Sequence, residues 1–159
     1  MIVGDGAILI YADGACRGNG TPDARASVGI YAGPNHPRNQ GFEIRESDQR
    51  LTNQVAELFA FIYAVQTGVD IVRAGGQFAT SKLVIATDSQ YAYDGITKWI
   101  NKWKEKDYQD VQNAPLFDKL DQLVIQVGIP VQFWKISRED NVEADKLARI
   151  ALDGDEREG

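Results

Sequence analysis

Four carboxylates in this 159-residue chain stand at places where they could work together. Asp13 closes the apolar run AILIYAD (7–13), Asp88 follows the apolar run KLVIAT (82–87), and Glu57 lies early in a long amphipathic stretch. Asp145 lies near the start of the last one. Carboxylate oxygens are what Mg²⁺ prefers, one or two per ion with water and phosphate oxygens completing the shell. Two such ions, roughly 3.5–4 Å apart, activate water and stabilise the leaving alkoxide in phosphodiester hydrolysis. Four acids suffice for that chemistry, and it needs no His or Cys. The chain holds 23 acids, however, and each of the four has an ordinary reading. Asp13 can form a turn, Asp88 can cap a helix, and Asp145 suits the positive end of a helix dipole.

The elements that must position these acids are legible from periodicity. Residues 7–13, 26–32 and 41–45 read as strands, the first followed by the glycine-rich loop segment GACRGNGTPD and the last two joined by GPNHPRN. From Thr52 the period changes: Val55, Leu58, Phe59, Ile62, Val65 and Val69 recur at three- and four-residue steps, predicting a helix over 52–72. Thr52 or Asn53 is its expected N-cap and Gly75–Gly76 its exit. Residues 82–87 read as a strand covered on both faces. A helical stretch opens at Asp88–Ser89 and is expected to break at Gly95. A helix over about 114–127, a strand over 131–136 and a helix over 141–152 follow, with Asp140 and Glu143 at capping-box spacing.

The order βββαβααβα predicts an α/β fold, a mixed five-stranded sheet with helices on both faces. No repeat, low-complexity tract or linker interrupts it. One domain over residues 1–159 is expected, with its core at about 7–152 and an acidic tail at 153–159. Side by side, the first and fourth strands would gather all four acids at one end of the sheet, where ligands of such sheets bind.

Composition narrows the class. Hydrophobic residues make up 43% and charged residues 25%, enough for a real core. No apolar run approaches a membrane span, and no signal or transit peptide is evident, so an intracellular protein with no membrane partner is expected. The single cysteine, Cys16, excludes an internal disulfide. The net charge of −6 is unusual for a nucleic-acid binder. It is unevenly spread: KWINKWKEK (98–106) carries four lysines, and clustered metal-ligating acids lower the total without repelling a polyanion once loaded.

Four strings, YADGACRGNG (11–20), TNQVAEL (52–58), TDSQYAYDGITKWI (87–100) and NVEADKLA (141–148), together and in this order resemble type 1 ribonuclease H. The resemblance runs from about residue 7 to residue 152, and the hairpin YAGPNHPRNQG is similar to eukaryotic members. It implies the ribonuclease H-like fold and an endonuclease cutting the RNA strand of RNA–DNA hybrids, leaving 5′-phosphate and 3′-hydroxyl ends. Asp13, Glu57, Asp88 and Asp145 would bind two Mg²⁺ ions with substrate, or Mn²⁺ in their place. By the same resemblance Cys16, Asn19, Asn53 and Gln54 approach the RNA minor groove and its 2′-hydroxyls, which distinguish RNA from DNA. Arg50, Thr52 and Asn113 resemble a pocket for a phosphate of the DNA strand, and Tyr91 and Trp99 match aromatic positions along the DNA channel. The partner implied is the hybrid itself, with no obligate protein partner and a monomeric state.

The chain departs from the family pattern between the last strand and last helix. Many members carry a histidine on a flexible loop there; here the connection is SREDN (137–141), and the sole histidine, His36, sits in the GPNHPRN turn. Arg138 and Glu139 are the polar residues that the short loop offers instead. Integrases, junction resolvases and proofreading exonucleases share such a sheet, and so would a module kept only for binding. A proofreading exonuclease would carry Asp-x-Glu, whereas Asp13 is followed by Gly14 and Ala15. A catalytically weak or inactive module, for instance one derived from a retroelement, would be expected to lack an acid, and all four are present.

Overall fold

A computed structural model describes residues 2–3, 6–75 and 82–154. Its strands are β1 (Ile2–Val3), β2 (Ala7–Arg17), β3 (Arg25–Tyr31), β4 (Gln40–Glu43), β5 (Leu83–Thr87) and β6 (Val131–Lys135). The helices are α1 (Asn53–Ala74), α2 (Gln90–Asp94), α3 (Ile100–Glu105), α4 (Ala114–Gln126) and α5 (Val142–Asp153). The sheet runs β4-β3-β2-β5-β6, and the two-residue β1 pairs antiparallel with the start of β2. Apart from β1 this is the expected five-stranded mixed sheet of the ribonuclease H-like fold. β2–β3 and β3–β4 are antiparallel hairpins, whereas β2–β5 and β5–β6 are parallel.

Alternation along β2 sorts the two faces. Ile8, Ile10 and Ala12 join the main core with Val28, Ile30, Phe61, Val65 and Ile85 beneath α1, α2 and α4. Ala7 and Leu9 pack with Val84 and Ala86 in a smaller cluster. The odd-numbered face of β2 and β3 receives α5, whose Ala144, Ala148 and Leu152 are buried. Gly29 permits that contact: a Cβ there would stand 2.0 Å from the Ala144 carbonyl oxygen. The Ser27 hydroxyl, fully buried, donates to the Ala148 carbonyl at 2.6 Å.

Four sequence expectations need correction. β2 does not end at Asp13 but continues to Arg17, because β3 pairs with it as far as Arg17↔Arg25; the turn occupies only 18–24. The helical stretch does not break at Gly95. It continues as a π-helical turn over Gly95–Trp99, with Gly95 buried so closely on Phe117 that a Cβ would meet the ring at 2.3 Å. Asp140 and Glu143 form no capping box. Asp140 sits in a 3₁₀ turn (Arg138–Asp140) and accepts from the Ser137 hydroxyl at 3.0 Å, leaving Asn141 as the residue that opens α5. Finally, α1 is long and apolar enough, with a mean hydropathy of 1.5, to meet the length and composition of a membrane span. That apolarity is used within the fold: Val55, Leu58, Phe61, Ile62 and Val65 are buried in the core that joins helix and sheet. Thr52 is the N-cap of α1, its hydroxyl accepting from the Val55 amide at 3.0 Å. Gly76 and residues 155–159 of the acidic tail lie outside the described residues.

Candidate functional site

Parallel pairing between β2 and β5 ends at Tyr11↔Ala86, and the acids begin there. Asp13 lies two residues further along β2, and Asp88 follows directly on Thr87, the last residue of β5. Thr87 is fully buried, and its hydroxyl accepts from the Ser89 amide at 3.0 Å, fixing the turn that carries Asp88. Glu57 is delivered by the second turn of α1. Gly14 is what lets that turn close in: a Cβ at residue 14 would lie 2.4 Å from the Ala56 carbonyl carbon and 2.7 Å from the Glu57 amide nitrogen.

One carboxylate oxygen from each of Asp13, Glu57 and Asp88 lies within 4.8 Å of the other two. Asp145 stands outside that set, on the first turn of α5, where the Arg149 Nε donates to its Oδ2 at 3.0 Å. It is still close enough to act electrostatically on Asp13. Burial pushes the Asp13 carboxyl far above the usual range, reinforced by repulsion from Glu57 and Asp88 and by Asp145. Burial and the Asp88 charge likewise raise Glu57. Its Oε2 is buried with no hydrogen-bond partner.

Such an arrangement is unfavourable for three bare carboxylates and suited to three that share a cation. The donors are all oxygen, which matches Mg²⁺ or Mn²⁺ rather than a thiolate- or imidazole-seeking metal. One basic residue approaches them among the described residues: Arg138 Nε lies 3.8 Å from Asp88 Oδ2, its side chain otherwise largely in solvent. It belongs to the 3₁₀ turn Arg138–Asp140.

The other sequence candidates fall into two groups. At the mouth formed by the β2–β3 turn and the start of α1, Asn19 Oδ1 accepts from the Asn53 amide at 2.8 Å, and Arg50 Nη1 donates to the Gly20 carbonyl at 3.2 Å. Thr52 and Gln54 sit on the same helix start, and Cys16 lies near the end of β2. Across α2, Asn113 Nδ2 donates to Tyr91 Oη at 3.0 Å, so these two candidates form one unit. Trp99 is 48% exposed at the end of the π-helical turn, whereas Trp103 packs edge-on against Phe117 at 4.9 Å between ring centroids. The two tryptophans, a helical turn apart, therefore divide into a surface ring and a core ring. Sequence reading missed Asn141, buried at 1% exposure, whose Nδ2 donates to the Ala12 carbonyl at 3.0 Å. Its only signal was a place at the head of the NVEADKLA string.

Comparison with known proteins agrees with this geometry. The RNase H family model matches residues 5–153. Mouse Ribonuclease H1 is 38% identical over 152 residues, which cover 90% of this chain and 49% of the mouse protein. Ribonuclease H of Alcanivorax borkumensis is 31% identical over 153 residues, 92% of this chain and 91% of that protein. The chain thus spans about half the length of the mammalian relatives it matches and nearly all of the bacterial one. Among solved structures, RNase H1 of Halobacterium salinarum superposes with a TM-score of 0.64 at 25% identity, covering 94% of this chain and all of that one. LC11-RNase H1, solved in complex with an RNA/DNA hybrid, gives 0.64 at 25% identity over 92% of this chain and 96% of that one. From β2 through α5, this chain belongs to the RNase H family.

Proposed function

We propose that this chain is an endoribonuclease that hydrolyses the RNA strand of RNA–DNA hybrids with divalent cations held by Asp13, Glu57, Asp88 and Asp145. The observation that carries the reading is the convergence of Asp13, Glu57 and Asp88 within 4.8 Å at the point where parallel pairing stops. Bound there, two Mg²⁺ ions, or Mn²⁺ in their place, supply an activated water and charge stabilisation for a displacement that leaves 5′-phosphate and 3′-hydroxyl ends. Asp13, Glu57 and Asp88 would be the close-set ligands, with Asp145 joining them from the first turn of α5.

The remaining residues orient the hybrid. Asn19, Asn53 and Gln54, with Cys16 beside them, offer amide groups that both donate and accept, as 2′-hydroxyl recognition requires. Arg50, Thr52 and Asn113 provide the phosphate contact on the DNA strand, and Tyr91 and the exposed Trp99 line its path. Arg138 places a permanent cation beside Asp88 where many members carry a loop histidine. Turnover then proceeds without imidazole proton transfer.

Cleavage of a fluorescently labelled hybrid in Mg²⁺, with Asp13→Asn and Asp88→Asn alongside, tests the reading. Cleavage by the unaltered chain and its loss in both variants is expected. Absence of cleavage in all three proteins would overturn the enzyme and leave a binding module. Equal cutting of duplex DNA or double-stranded RNA would overturn the specificity.

A further inference from the structure

The residue that opens α5 is not used as a helix cap. Asn at such a position ordinarily turns its side-chain oxygen onto the first free amides of the helix. Asn141 makes no such bond. Its side chain instead points into the sheet, is 1% exposed, and donates Nδ2 to the Ala12 carbonyl at 3.0 Å. That carbonyl immediately precedes Asp13 and lies just beyond the last β2–β5 pair, Tyr11↔Ala86. A side-chain amide thus takes up the work of the sheet where the neighbouring strand leaves off.

Backbone bonds at the same residue reach the other acids. The Asp145 amide donates to the Asn141 carbonyl at 3.1 Å, and the Asn141 amide donates to the Arg138 carbonyl at 3.1 Å. Arg138 in turn faces Asp88. One buried residue therefore joins the strand carrying Asp13, the helix carrying Asp145 and the turn whose arginine meets Asp88. The arrangement has a cost: Asn141 Oδ1 is buried without a partner, a penalty that an apolar side chain of the same size would avoid. Docking of α5 does not depend on it, since Ser27 bonds Ala148 and Gly29 admits Ala144 further along the same helix.

We propose that Asn141 is a positioning residue: its amide on the Ala12 carbonyl sets the spacing of Asp13 and Asp145 that divalent-cation binding requires. This rests on the metal-dependent reading of the site given above. Groups that orient metal ligands without touching the metal typically change affinity by about 10–100-fold when removed.

The test compares Asn141→Ala with Ser27→Ala, which removes an equally buried bond between the same helix and the sheet, at Ala148 further along α5. Mg²⁺ is titrated twice: against hybrid cleavage, and against Tm in the absence of any nucleic acid. For Asn141→Ala the Mg²⁺ midpoint is expected to rise about tenfold or more in both titrations, with kcat lowered and KM for the hybrid nearly unchanged. For Ser27→Ala the Tm falls while the Mg²⁺ midpoint stays in place. Should Asn141→Ala not fold, the similarly sized Asn141→Leu is read in the same way. An unaltered midpoint in the Asn141 variant, or an equal shift in Ser27→Ala, overturns the proposal. If the unaltered chain cleaves no hybrid, the enzymatic reading fails, and the substrate-free titration still decides the role of Asn141.

Discussion

The first two turns of α1 carry two regions of opposite character. At its N-terminus the polar groups are already satisfied: Thr52 caps the helix, Asn19 bonds the Asn53 amide, and Arg50 bonds the Gly20 carbonyl. A single turn later Glu57 is pressed against two further carboxylates, with one oxygen unpartnered. The mouth of the site is complete without a ligand; the acid cluster is not. Preorganised polar contacts hold shape, whereas clustered like charges out of water store instability that a cation relieves. The same helix can do both because Gly14 lets the backbone at Ala56 and Glu57 press onto β2.

Removing an acid breaks the contrast most sharply. Asp13→Asn and Asp88→Asn should each lower hybrid cleavage on the order of 10³-fold, the scale of losing preorganised charge stabilisation at a reacting centre. In the metal-free protein Asp13→Asn should at the same time raise Tm, because a neutral amide avoids the cost of burying a carboxyl beside Glu57 and Asp88. Single-turnover cleavage and thermal melts in chelator read the two effects. A variant that lost activity and also melted lower would place the strain elsewhere.

The pH dependence comes next. Asp13 and Glu57 have folded-state pKa values raised above their ordinary range, so the folded chain holds protons that the unfolded chain has released. Their contribution to stability is full below about pH 4 and is lost as pH rises through the raised values. Metal-free Tm should therefore carry a component that declines above about pH 4, and the Tm increase on adding Mg²⁺ should grow with pH over the same interval. A Mg²⁺ increment independent of pH would contradict a cation bound at these two acids.

Changes at the mouth should be smaller and of a different kind. Thr52→Ala removes the cap of α1 and should cost about 1 kcal/mol of stability, whether or not metal is present. Chemical denaturation with and without Mg²⁺ would show two equal losses. Trp99→Ala should be the mildest: stability within about 0.5 kcal/mol, since the ring is largely exposed. Hybrid binding should weaken roughly fivefold, the ~1 kcal/mol of one aromatic contact. Titration of a catalytically inactive Asp13→Asn background with labelled hybrid measures this without turnover.

Much of this organisation was written locally. Asp88 after an all-apolar run, Glu57 beside the stripe of an amphipathic helix and Thr52 before it were readable because each depends on neighbours a few residues away. Two of the misreadings involve distant partners and one a local turn. β2 runs past Asp13 because β3 supplies hydrogen bonds as far as Arg25. Gly95 allows a π-helical turn instead of a break because Phe117, twenty-two residues later, occupies the space beside it. Asp140 resembled a cap by spacing, but the turn it sits in is closed by Ser137 and leaves Asn141 to open the helix. Asn141 could not be singled out at all, since its partner is the carbonyl of Ala12, in the first long strand.

The missing side chain of Gly14 has one more consequence. With 2.4 Å between a would-be Cβ and the backbone of α1, the distance between strand and helix is gauged by an atom that is not there. A single methyl at residue 14 would act as a shim, prising Glu57 away from Asp13 while every ligand kept its identity. Mg²⁺ binds oxygen at about 2.0–2.1 Å and tolerates little distortion, whereas Ca²⁺ accepts about 2.3–2.6 Å and looser shells. With the cation-bound site proposed above, the choice between a small, demanding ion and a large, forgiving one would rest on a residue with no side chain.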